Sequence, residues 1–226
     1  MQRLSSPFMD PVAVANYAID TPRKVPGLAD LHRMGTLLLS EQAPGAAHML
    51  VIGAGGGLEL VSLAAARPDW RFTGVDPSPA MLDLARETVA PFADRVQLVN
   101  GVVNHAPAGP FDGATCFLVM HFLGRSERLR TLREIRSRLR SGARLVVAHH
   151  APPKGDAERW LARSVAFGAG VRADPVSTAT AGRLMTAQLP LLTPHEEEDL
   201  LRASGFVEVE LFYSALSFRG WVASAE

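Results

Sequence analysis

Cysteine is nearly absent from this chain. The one cysteine among 226 residues, Cys116, lies in the apolar stretch GATCFLVM, which suits a buried thiol in a reducing compartment and excludes an internal disulfide framework. A surplus of either charge is missing too. Lys+Arg and Asp+Glu number 23 each, so no global field draws the chain toward nucleic acid or an anionic membrane. No uninterrupted apolar run is long enough to span a bilayer, and no amino-terminal segment joins basic residues to a long apolar run. These absences predict a cytoplasmic protein with no membrane partner. Metal-ligand spacing is also lacking. The adjacent pair His149–His150 points to opposite faces of a strand, and HEEED (195–199) reads as an acidic first helical turn, so no metal is expected.

What is present is an alternation of short apolar strands with amphipathic helices, the pattern of a parallel sheet covered on both faces. Strands are expected at 48–53, 71–76, 95–100, 113–120 and 143–150, with helices after the first two and over 126–140. Ser78 caps the second helix and Pro79 fits its first turn. Beyond residue 150 the alternation stops. Residues 156–203 read as helices interrupted at Pro175, Pro190 and Pro194, and GFVEVELFYSALSFRGWVAS reads as a hairpin turning near Ser214. The first 45 residues also read as helical, with breaks at Pro22, Pro26 and Pro44. The expected organisation is one domain, residues 1–226: a helical cover (1–45), a core (46–150), a helical lid insertion (151–194), and a final helix and hairpin (195–226).

VIGAGGGLEL (51–60) places glycines at 53, 55, 56 and 57 directly after the first strand. A phosphate-binding loop would end in Gly-Lys-Ser/Thr, but Leu58 and Glu59 follow Gly57. A dinucleotide fingerprint needs a third glycine where Leu58 stands, and Glu59 would set negative charge near a pyrophosphate. The spacing Gly53, Gly55, Gly57 suits a compact zwitterionic tail; a plain glycine-rich strand-to-helix turn is the alternative. Asp76 ends the second strand, where a carboxylate accepts hydrogen bonds from both ribose hydroxyls of a nucleoside. Met81, on the following helix, can cover an adenine ring. A helix cap and core packing are the plainer readings of these two residues.

LVIGAGGGLEL, FTGVDPSPAMLDLAR, FDGATCFLVMHFL and LREIRSRLRSGARLVVAHH together resemble the successive motifs of class I S-adenosylmethionine-dependent methyltransferases. The resemblance implies an α/β, Rossmann-like doubly wound sheet of seven strands with the last strand antiparallel. It also implies S-adenosylmethionine as cofactor and S-adenosylhomocysteine as product. The methionine tail would lie on Gly53, Ala54, Gly55 and Gly57, and the ribose on Asp76 beside Pro77. Adenine would lie near Met81 and the loop Val102, Val103, Asn104, and the methyl group beside Phe117 and Leu118. Two positions depart from the family: Val51 stands where an acid usually holds the cofactor's amino end, and Val102 where an acid often helps recognise adenine. The ends of the chain are similar to the carboxy-S-adenosylmethionine synthase branch. That branch expects tyrosine, asparagine and arginine where Leu28, Phe117 and Leu200 stand here. Three apolar residues cannot pair with an extra carboxylate, so methyl transfer is expected rather than carboxymethyl chemistry.

His121 after the fourth strand, and His149 and His150 at the end of the fifth, are the candidate bases, since open α/β sheets bind ligands at strand carboxyl ends. Hydrogen-bonded wall residues are the alternative, and at most one of His149 and His150 should face the pocket. Tyr17, His121 and His149 are candidates to touch substrate. The Asn/Asp-Pro-Pro-aromatic signature of amino-methylating nucleic-acid enzymes of this fold is absent, with FLVMHFLG in its place. The arginines between 125 and 144 surround one helix with Glu127 and Glu134 among them, a solvated face. The expected partner is a small-molecule acceptor, with nucleic acid disfavoured and a homodimer allowed. The alternatives are an enzyme of the carboxy-S-adenosylmethionine type and a non-catalytic cofactor-binding protein.

Overall fold

The structure, a computed structural model, describes residues 11–226; the first ten residues of the expected helical cover lie outside the described residues. Five apolar runs form strands close to where the sequence places them: β1 (Ala47–Ile52), β2 (Trp70–Asp76), β3 (Val96–Asn100), β4 (Phe111–Phe117) and β5 (Leu139–His150). The tail forms β6 (Phe206–Ala215) and β7 (Phe218–Ala225). These make a seven-stranded sheet in the order β3-β2-β1-β4-β5-β7-β6. The first five strands pair in parallel, and β7 runs antiparallel to both β5 and β6. The Rossmann-like sheet with an antiparallel last strand is therefore present as expected.

β1 lies between β2 and β4, so the strand order reverses there and a crevice opens at the carboxyl ends of β1 and β4. Both faces of the sheet are apolar because both are covered. On one face Leu50, Ile52, Cys116 and Leu145 pack with Leu132 and Ile135 of α5 (Arg125–Arg138). On the other, Met49, Val51 and Phe72 pack with Leu31 and Leu39 of α2 (Leu28–Ser40) and Leu60 and Leu63 of α3 (Leu58–Ala66).

Several prolines start helices instead of interrupting them. Pro175 opens α7 (Pro175–Gln188) behind Asp174, and Pro194 opens α8 (Pro194–Ala203) behind Thr193, whose capping box with Glu196 confirms HEEED as a first turn. α6 (Ala157–Ala169) precedes them. Pro22 stays inside α1 (Pro11–Lys24), close enough to its end that few later turns need the missing N–H. The hairpin connection is Leu216–Ser217, two residues beyond the expected Ser214, with Leu216 in the left-handed region (φ 53°).

Candidate cofactor cleft

The chain leaves β1 through three glycines in left-handed conformation, with φ of 72° at Gly53, 50° at Gly55 and 84° at Gly57. Close approach also demands glycine at Gly53 and at the neighbouring Gly56. A Cβ on Gly53 would lie 2.2 Å from Val119 Cγ2, and one on Gly56 would lie 2.8 Å from Tyr17 Cδ1. Gly57 does a different job, letting α3 approach Ala85 and Thr88 of α4 (Pro79–Thr88). The Gly53 and Ala54 amides donate to Val75 O at 2.9 and 3.0 Å, fixing the turn to the end of β2.

Asp76 joins the turn to the next helix. Its Oδ2 accepts from Gly55 N at 2.9 Å and its Oδ1 from Ser78 N at 2.8 Å, while Ser78 Oγ caps α4 through Met81 N. A carboxylate offers about four acceptor positions, so two stay open after these bonds. Burial pushes the Asp76 carboxyl above its usual range, and the two amides pull it back. Met81 and Val103 are buried beside this corner, whereas Pro77, Val102 and Asn104 are exposed. A methyl added at Gly55 would lie 3.5 Å from Met81 Cε and 3.2 Å from the Tyr17 hydroxyl, so glycine turn, ribose corner and α1 converge.

A cavity of about 20 Å³ lies at the sheet's switch point, lined by Gly53, Ala54 and Glu59 below, Phe117 and Leu118 at the end of β4, and Tyr17, Thr21, Leu28 and His32 from α1 and α2. Leu118 holds φ 61°, a strained conformation for leucine, and donates its amide to Ala148 O at 2.7 Å. Tyr17 is pushed up to about 12 by burial, with the Glu59 and Asp76 carboxylates adding to it. His32 stacks on Phe117 at 5.8 Å and is lowered to about 4 by burial, so it is a neutral imidazole at pH 7.

The candidate histidines gather elsewhere along the strand ends, and none of the three lines this cavity. His121 lies 4.9 Å from His150 and 6.5 Å from His149, ring to ring. His149 Nε2 is 2.9 Å from Glu197 Oε1, within ion-pair reach but without hydrogen-bond alignment, and Glu197 is paired with buried Arg128. His150 takes the other direction: its Nδ1 lies 2.7 Å from Ser217 Oγ and its ring stacks on Phe218. Burial lowers His121 and His149 well below the ordinary imidazole value and His150 to about 4. His32 and Glu59 line the cavity without having been among the candidate site residues. His32 shares the buried face of α2 with Leu28, Leu31, Gly35 and Leu39, a helical spacing visible in LADLHRMGTLLLS. Glu59 stands between Leu58 and Leu60, where an acid in an apolar turn marks a buried charge. No group of three or more His, Cys, Asp or Glu among the described residues could hold a metal ion, and no helix among them is long and apolar enough to cross a membrane.

Known proteins bear on this geometry. A methyltransferase-domain family model matches residues 50–145. Ribosomal RNA small subunit methyltransferase G of Nocardioides sp. is 40% identical over 79 residues, which cover 34% of this chain and 32% of that protein. The chain thus aligns with only about a third of its curated relatives' length. Among solved structures, a putative O-methyltransferase from Nostoc punctiforme superposes with TM-score 0.69 at 21% identity over 95% of this chain and 60% of the other. The S-adenosylmethionine-dependent methyltransferase SibL, in its apo form, superposes with TM-score 0.61 at 19% identity over 97% and 70%. Residues 50–145 match a methyltransferase-domain model, and the fold of the chain is the one these solved methyltransferase structures share.

Proposed function

We propose that the chain is an S-adenosylmethionine-dependent methyltransferase acting on a small-molecule acceptor. The observation that carries this reading is Asp76, a buried carboxylate at the end of β2 that ties the glycine turn to α4 and keeps two acceptor positions open. The residues fit the cofactor: a carboxylate for vicinal hydroxyls, buried Met81 and Val103 for a flat base, and a turn without Cβ atoms for the tail. The volume does not fit with Tyr17 in place. Ligand sites commonly span about 300–1,000 Å³, against the 20 Å³ here. Entry therefore requires α1 to lift Tyr17 from Gly55 and Gly56.

When bound, the cofactor supplies a methyl group already activated by its sulfonium. The chain's part is placement, which for well-aligned reactants is worth about 7–11 kcal/mol of the barrier. Leu28, Phe117 and Leu118 form an apolar wall that excludes water around the methyl position. His32, neutral at pH 7 and lining the cavity, is a further candidate base for an acceptor hydroxyl or amine beside His121, His149 and His150. Those three, with Glu197, Arg128 and Ser217, stiffen the strand ends behind it. The closed roof of α1 and α2 supports a small acceptor, because a polymer needs an open groove. The likeness to the ribosomal RNA enzyme spans 79 residues, a third of either chain. Leu28 and Phe117 offer no cation for an additional carboxylate, which supports methyl over carboxymethyl transfer.

Incubation with methyl-labelled S-adenosylmethionine and either a low-molecular-weight extract or total RNA tests the reading. Label is expected in the small-molecule fraction. Label in RNA overturns the acceptor class, and no saturable binding of S-adenosylmethionine or S-adenosylhomocysteine overturns the methyltransferase.

A further inference from the structure

Glu59 is the second residue of α3 and is 6% exposed, yet it lies among apolar neighbours and lines the cavity beside Gly53 and Ala54. Its Oε1 is sealed from solvent without a hydrogen-bond partner. The Thr115 hydroxyl on β4 is near enough to favour the ionised form, but Thr115 Oγ1 is itself without hydrogen-bond geometry. Among the described residues no lysine, arginine or histidine makes an ion pair with Glu59. Among the described residues, the titratable groups around the cavity are Tyr17 from α1, His32 from α2, Asp76 from β2 and, behind Thr115, Cys116 of β4. None is a cation at pH 7. A buried carboxyl without a partner is costly, and such groups concentrate where a ligand completes them.

The location sharpens the argument. Thr115 is the register partner of Val51 across the β1–β4 ladder. Val51 is the strand position at which the resemblance to class I methyltransferases implies an acid for the cofactor's amino end. The acid missing from β1 therefore has a counterpart on α3, approaching the same ladder position.

We propose that the Glu59 carboxylate is the counter-charge for the ammonium of the cofactor's amino-acid tail, supplied from helix α3 in place of strand β1. This rests on the methyltransferase reading and adds a specificity residue to it. Burial pushes Glu59 up to about 8, so without a cationic partner the group is protonated at pH 7. Pairing with an ammonium favours its ionised form, and the displaced proton leaves to solvent.

Calorimetric titrations of wild type and Glu59→Gln with S-adenosylhomocysteine and with 5′-methylthioadenosine, which has the nucleoside but no amino-acid tail, test this. The variant is expected to bind S-adenosylhomocysteine about 10–100-fold more weakly, the range of a lost charged hydrogen bond, with 5′-methylthioadenosine affinity unchanged. Equal affinity of both proteins for S-adenosylhomocysteine overturns the proposal, as does an equal loss for both ligands. If the variant does not fold, wild type suffices: titration at pH 7 in buffers of different ionisation enthalpy should show proton release with S-adenosylhomocysteine and less with 5′-methylthioadenosine. Equal release for the two ligands overturns the assignment while leaving the methyltransferase reading intact. A wild type that binds neither ligand overturns both.

Discussion

Mild acid should destabilise this protein steeply, and the buried histidines set the size of the effect. His32, His121, His149 and His150 are each under 8% exposed, and burial lowers all four, His32 and His150 to about 4. In the unfolded chain each titrates near 6.5. Between those values the unfolded state holds protons that the folded state refuses, so stability is fully present above pH 6.5 and falls as pH drops. Glu59 works the other way. Raised to about 8, it holds a proton in the fold that the unfolded chain has released, so its contribution is present below about pH 4.5 and is lost as pH rises toward 8. At pH 5.5 four histidines pull one way and one carboxyl the other, a net of about three protons. At about 1.4 kcal/mol per proton per pH unit, the slope is roughly 4 kcal/mol per unit. A typical domain has about 5–15 kcal/mol in total, so lowering the pH from 6.5 to 5 should remove much of the stability. Urea unfolding followed by circular dichroism at half-unit pH steps measures this slope directly. His121→Leu should flatten it by about one proton, since that ring makes no hydrogen bond through Nδ1 that leucine would break. Stability that stays flat between pH 7 and 5 would refute the reasoning, because at least three of the four imidazoles would then have to titrate normally in the fold.

Asp76→Ala strips acceptors from the buried Gly55 and Ser78 amides. It should cost about 1–3 kcal/mol for each amide left unpaired, read by urea titration, and abolish measurable nucleoside binding by calorimetry. Tyr17→Ala removes the ring lying over Gly56. S-adenosylhomocysteine should then associate several-fold faster in stopped-flow fluorescence, and an unchanged rate would exclude α1 as the gate. Gly53→Ala drives a methyl to 2.2 Å from Val119 Cγ2 at φ 72° and should cost about 1–3 kcal/mol in thermal unfolding. Adding Val119→Ala should recover part of that loss, while the strain of the left-handed backbone remains.

The strands were legible because each is a short apolar run set off by turn residues on either side. Asp76 and Ser78 were legible for a similar reason, since a cap and a strand-end carboxylate are set by the few residues around them. The histidines were not. Period-two alternation correctly sends His149 and His150 in opposite directions, but what each meets is decided by distant elements: Glu197 of α8 for one, Ser217 of the hairpin connection for the other. No local pattern carries that packing. The helical cover and Tyr17 were legible, but His32 was not, because the register of α2 against β1 depends on the whole sheet being built. Glu59 shows what a position-by-position reading leaves out. Compared along the first strand, Val51 is a lost acid and implies weakened binding. In three dimensions Val51 pairs with Thr115, and Glu59 approaches that threonine from α3 with an unsatisfied oxygen. On the proposal above, the ligand's ammonium responds to the location of the carboxylate and is indifferent to which element delivers it.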